Sequence, residues 1–84
     1  MESTTTGSTI RVIAFGKAVE IINANSLTVE GMTDVNALKD WLSINFPGIS
    51  ELKISIAVNQ KVVSQNRLFE NGDEVALLPP FSGG

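Results

Sequence analysis

Thr33-Asp34-Val35-Asn36-Ala37-Leu38-Lys39-Asp40-Trp41-Leu42-Ser43-Ile44-Asn45-Phe46-Pro47-Gly48 is the stretch from which the rest of the chain is read. Val35, Leu38, Trp41, Leu42 and Phe46 recur at spacings of three and four, so they share one face of a helix, with Lys39 and Asp40 on the other side. Thr33 is placed to cap the N-terminus, and Asp34 puts a negative charge in the first turn, where the helix dipole favours it. Pro47-Gly48 ends the helix. Everything around this helix reads as strand and turn, apart from a short helical turn expected at Lys17–Ile22.

Upstream, Ile10-Arg11-Val12-Ile13-Ala14-Phe15 is β-branched and ends at Gly16, a strand signature. After the turn cluster Asn23-Ala24-Asn25-Ser26, Leu27-Thr28-Val29-Glu30 alternates as a second strand, stopped by Gly31. Downstream, Ile54 to Val58 and Lys61 to Ser64 read as two strands about a tight turn at Asn59-Gln60. Asn71-Gly72-Asp73 is a second turn, leading into the strand Val75-Ala76-Leu77-Leu78. One main helix cannot cover both faces of such a sheet. The order therefore predicts an α+β roll, a sheet of about five strands with the helix on one face.

Side chains alternate between faces along a strand. Ile10, Val12 and Ala14, Leu27 and Val29, Ile54, Ile56 and Val58, and Val75 and Leu77 are expected to face the helix. That leaves Ile13, Phe15, Ala57, Ala76, Leu78 and one of Val62 and Val63 on the opposite side. A contiguous apolar face of this kind marks a partner site unless a loop or the Lys17–Ile22 segment covers it.

The chain has 84 residues, a net charge of −3, and neither cysteine nor histidine. At this length it is one small domain, without disulfides and with no site for metal, and its stability rests on an apolar core. A composition 43% hydrophobic can supply one. The missing residue types exclude Ser–His and Cys–His nucleophilic pairs and point to a chain that is not an enzyme on its own. Six Lys and Arg against nine Asp and Glu argue against nucleic acid as a partner. No apolar run approaches the ~18 residues of a membrane span, and residues 1–9 have neither the basic nor the apolar part of a secretory signal. A soluble, cytoplasmic chain is expected. Its organisation would be a flexible tail at 1–9, a folded domain at 10–78 and an extended tail at 79–84.

The final segment, Pro79-Pro80-Phe81-Ser82-Gly83-Gly84, has a mechanical meaning in each part. Two prolines fix φ and lack N–H groups, so the last strand cannot continue its ladder and the chain leaves stiffly. Six extended residues reach on the order of 20 Å. Glycines without Cβ can thread a narrow channel and carry the terminal carboxylate of Gly84 to a reaction centre.

Asn71-Gly72-Asp73-Glu74-Val75-Ala76-Leu77-Leu78-Pro79-Pro80-Phe81-Ser82-Gly83-Gly84 resembles the C-terminus of the MoaD-like small subunits of molybdopterin synthase, within the MoaD/ThiS sulfur-carrier family. Ile56-Ala57-Val58-Asn59-Gln60 is similar to that family's Ala-Val-Asn hairpin, and Ile10 to Phe15 with Ala18-Val19-Glu20-Ile21 to its first strand and short helix. The resemblance covers residues 10–84. It implies a β-grasp, ubiquitin-like fold and a sulfur carrier in molybdenum cofactor biosynthesis. It also implies that an E1-like (MoeB-like) adenylyltransferase uses ATP to activate Gly84, that sulfur replaces AMP to give a thiocarboxylate, and that the tail inserts into a MoaE-like large subunit of a heterotetramer. Phe15, Val62 and Leu78 match the family's docking face by position, and no bound cofactor is implied. Two alternatives share the fold. A ThiS-like carrier of thiamine biosynthesis usually lacks the Pro-Pro entry to the tail, and a ubiquitin-like protein modifier would be expected to carry its glycines on a longer, flexible tail.

Overall fold

The computed structural model describes residues 7–79. Its elements are β1 (Ser8–Ala14), α1 (Lys17–Ile22), β2 (Ser26–Met32), α2 (Val35–Asn45), a 3-10 helix (Pro47–Glu51), β3 (Ser55–Val58), β4 (Lys61–Val62) and β5 (Glu74–Leu78). The sheet order is β2-β1-β5-β3-β4, with β1 and β5 parallel and the other neighbours antiparallel. This is the α+β roll of five strands with one main helix that the element order implied, and its mixed strand order is that of the β-grasp fold the resemblance implied.

Ile10, Val12, Ala14, Ile56, Val58, Val75 and Leu77 from the sheet meet Val35, Leu38 and Leu42 of α2 in one core. Ala18 and Ile22 bring α1 into the same core, and Ile21 lies against Gly48 of the 3-10 helix. Hence α1 packs on the helical side and not over the opposite face of the sheet. Trp41 and Phe46 border the core rather than fill it. They are half-buried and pack edge to face with ring centroids 5.8 Å apart.

Asp34, not Thr33, caps α2. Its Oδ1 accepts from the Ala37 N–H at 2.8 Å. The reason is tertiary: the Thr33 carbonyl accepts from the Phe69 N–H, and Asp34 forms an isolated bridge with Leu68, so the chain stays extended one residue longer. Asn66 completes the cap, accepting from the Asn36 N–H and donating to Asp34 Oδ2. These bonds, Asn66 first and Ala37 next, hold the Asp34 carboxyl below its ordinary value.

β1 begins at Ser8, two residues before the start expected from alternation. Ser8 Oγ donates to the Phe69 carbonyl, and the Thr9 N–H donates to Asn71 Oδ1. Both partners lie more than sixty residues away, out of reach of a local pattern. β4 is correspondingly shorter than expected, two residues instead of four.

The turn between β3 and β4 places Asn59 and Gln60 at φ 51° and 74°, both left-handed, as a two-residue hairpin whose twist matches its strands. Asn tolerates this region, whereas Gln is held there at a cost. Gln60→Gly is expected to raise stability by about 0.5–1 kcal/mol, read as a higher urea midpoint at unchanged slope.

Candidate functional site

Strand pairing lines up one row of residues across all five strands on the face away from α2: Ser26, Ile13, Ala76, Ala57 and Val62. The two central alanines are small and their outer neighbours larger, so the row is a shallow apolar trough. Val62 lies on this face with 65% exposure, while Val63 packs toward the core, which decides between the two valines. Leu78, opposite Ser55, adds a half-buried side chain on the next row. Phe15 directly follows β1 and is 46% exposed, uncovered by α1. Strand register thus puts Val62 and Leu78 on one face, and Phe15 is exposed just past the end of β1. Ala57 is buried although it belongs to that face, a small side chain between strands.

The root of the tail stands at the edge of the trough. β5 ends at Leu78, and Pro79 lacks the N–H that would extend its ladder. Gly16 meets it there. A Cβ on Gly16 would lie 3.4 Å from Pro79 Cγ, and the backbone at φ 60°, ψ −133° is open to glycine. The last residue of β1, the exposed Phe15 and the exit of β5 thus form one corner. Pro80, Phe81, Ser82, Gly83 and Gly84 lie outside the described residues, as do residues 1–6.

Behind this corner, at the other end of β5, Asp73 ties the loops together. It is 5% exposed, and its carboxylate accepts from the Glu70 N–H at 2.8 Å, Asn59 Nδ2 at 2.9 Å and Arg67 Nη1 at 3.0 Å. Asn59 also exchanges bonds with the Glu74 backbone, 2.7 and 3.0 Å, so the β3–β4 hairpin that carries Val62 is pinned to the start of β5. Neither Asp73 nor Phe69, buried beneath the same loop, stands out in the sequence as a structural anchor. Asp73 reads as a turn residue, and Gln65 to Glu70 has no alternation that would mark Phe69 as core.

Burial works to raise the Asp73 carboxyl, and the bonds from Glu70, Asn59 and Arg67 outweigh it, leaving it below its ordinary value of 3.8. A carboxyl lowered on folding contributes stability above its unfolded value and loses that contribution as pH falls through the folded one. Stability is therefore expected to hold above about pH 5 and to decline below about pH 4. Asp73→Ala should cost about 2–3 kcal/mol at neutral pH, by stranding three donors, and should flatten part of that acid decline in urea unfolding.

What the arrangement supplies chemically is a flat apolar surface with a stiff exit for the chain at its edge. Among the described residues, no group of three or more His, Cys, Asp or Glu side chains is placed to hold a metal, and no helix is long and apolar enough to cross a membrane.

Comparison with known proteins extends this picture. The chain matches the ThiS family over residues 12–84. It is 34% identical to the human molybdopterin synthase sulfur carrier subunit, over 89% of this chain and 93% of that protein. The protein of the same name from Arabidopsis thaliana is 32% identical, over 100% and 93%. Among solved structures, the complex of subunits 1 and 2 of the molybdopterin-converting factor from Helicobacter pylori contains a chain that superimposes with a TM-score of 0.69 at 26% identity, over 90% of this chain and 99% of that one. The small archaeal modifier protein 1 of Methanosarcina acetivorans superimposes with a TM-score of 0.78 at 21% identity, over 92% and 97%, a likeness of fold.

Proposed function

The chain belongs to the ThiS family, and from that premise we propose that it is the sulfur-carrier small subunit of a molybdopterin synthase, acting in molybdenum cofactor biosynthesis. What carries the reading is identity of 32–34% to carriers of that name over nearly their whole length. The family match by itself embraces a thiamine-type carrier equally well. The names of the relatives, and Pro79-Pro80 at the root of the tail, favour the molybdopterin branch.

In this reading Gly84 is the only reacting residue of the chain. A carboxylate is a poor electrophile, so an E1-like partner joins it to AMP, with ATP giving up pyrophosphate. Sulfide-level sulfur (HS−) released by a sulfur donor then attacks the carbonyl carbon, the C–O bond to AMP breaks with AMP leaving, the proton passes to solvent, and a thiocarboxylate remains on Gly84. Being anionic and soft, it is the nucleophile that delivers sulfur to the pterin precursor. Acid–base groups and phosphate-binding loops belong to the partners, which suits a chain without His or Cys. The open face, with Phe15, Val62 and Leu78, docks on the large subunit in a heterotetramer. Pro79, Pro80, Phe81, Ser82 and Gly83 form the insert that carries Gly84 into the large subunit's active site. Cytoplasmic activity goes with this reading, as does a division into domain 10–78 and tail 79–84.

The test is intact mass after incubation with an E1-like adenylyltransferase, ATP and a sulfur source. A gain of about 16 Da, one oxygen exchanged for sulfur, is expected. No gain, or capture of the chain on lysines of other proteins instead, would remove the carrier assignment.

A further inference from the structure

The open face has a charged end. Because β1 and β5 run parallel, the residues two positions before Ile13 and Ala76 also lie side by side: Arg11 stands in register with Glu74, and Thr28 of β2 flanks Arg11. All three project from the same side of the sheet as the trough, since Ile10, Val12 and Val75 between them are buried in the core. Arg11 is exposed and Glu74 half-buried. Neighbouring strands are about 5 Å apart, yet these two do not form an ion pair with each other. The ion pairs among the described residues are Lys17–Glu20 and Arg67–Asp73. Among the described residues neither head group has an ion-pair partner.

Their position gives the face a direction. Both strands run from this charged end toward Phe15, Leu78 and Pro79, so charge lies at one end and the root of the tail at the other. An apolar trough buries nearly the same carbon surface in two orientations half a turn apart. Only one of them aims the tail into a channel, and six residues reaching on the order of 20 Å cannot compensate for the wrong one. A charge pair at one end separates the two, because in the wrong orientation each head group is desolvated without a counter-charge.

We propose that Arg11 and Glu74 set the orientation in which the open face docks, Arg11 meeting an acidic and Glu74 a basic side chain of the large synthase subunit. The inference rests on the docking role proposed above. Titration of the full chain against the purified large subunit tests it, at low salt and at about 0.5 M salt, with the folded state of each variant checked by circular dichroism.

Arg11→Glu and Glu74→Arg should each weaken binding about tenfold at low salt and less at high salt, and Arg11→Gln and Glu74→Gln about threefold. The exchanged double variant, R11E with E74R, should bind more weakly than either single, because both head groups then meet like charge. Unchanged affinity in the single variants, or recovery in the double, would overturn the proposal by making the two residues neutral or a purely internal pair. Phe15→Asp serves as the reference. Weak binding by that variant beside normal binding by Arg11→Glu sinks the orientation role alone, whereas normal binding by Phe15→Asp, or no binding by the unaltered chain, sinks the docking role with it.

Discussion

Chains lacking Gly84 are expected to lose sulfur delivery by a hundredfold or more while still engaging the large subunit. Such a chain keeps a terminal carboxylate, now on Gly83, so the chemistry is not removed but misplaced. One extended residue spans about 3.3–3.6 Å. Reacting atoms must approach to about 3–3.5 Å, and a misplacement of even about 1 Å can cost on the order of a hundredfold. The two prolines that open this segment have φ fixed by their rings, which limits how far the shortened sequence can adjust to recover the distance. The docking proposed for Phe15, Val62 and Leu78 does not use Gly84 and should weaken far less. Single-turnover transfer to the pterin precursor, measured beside binding to the large subunit, checks both halves. Transfer within about tenfold of the full chain would show that the terminus is not the reacting group.

Phe15→Asp is expected to weaken binding to the large subunit by about 2–4 kcal/mol, some 30-fold to 1,000-fold, with little change in the chain's own stability. The difference between the two effects follows from where Phe15 stands. At 46% exposure it contributes modestly to the isolated fold, and α1 turns its own apolar side chains, Ala18 and Ile22, into the core instead of over it. In the docked state the ring would be covered completely. An aspartate there forfeits the apolar contact and also brings an unpaired charge out of water. Val62→Asp, on the open face at 65% exposure, should behave in the same direction. A variant that unfolds rather than losing affinity would mean that Phe15 serves the core.

Both expectations draw on features that reached the page by different routes. The alternation of Ile10 to Phe15 and of Val75 to Leu78 places Phe15 and Leu78 opposite the helix without any knowledge of which strands pair. The same holds for α2, whose apolar positions return every three or four residues. Helix and strand periodicities depend on a few neighbouring bonds, so they are written locally. Asn59-Gln60 likewise carries its left-handed turn in two residues.

Other features depend on residues far apart in the chain. Thr33 offers a good capping side chain, yet the backbone pairing with residues 67–69 carries the extended chain through it and hands the cap to Asp34. Ser8 and Thr9, polar and without periodicity, join the sheet because Phe69 and Asn71 accept their bonds. Asp73 gathers donors from Asn59, Arg67 and Glu70, and only two of those three lie in its own loop.

Composition and local pattern suffice, then, for one helix-covered sheet, an apolar second face and a proline-stiffened exit. They cannot say that β5 lies between β1 and β3. That order is a matter of long-range pairing, in which residues about sixty positions apart come into register. From it follow the continuous row from Ser26 to Val62, the corner shared by Phe15, Gly16 and Pro79, and the neighbourhood of Arg11 and Glu74. The apolar face is a property of each strand taken alone, whereas its direction exists only in the assembled sheet.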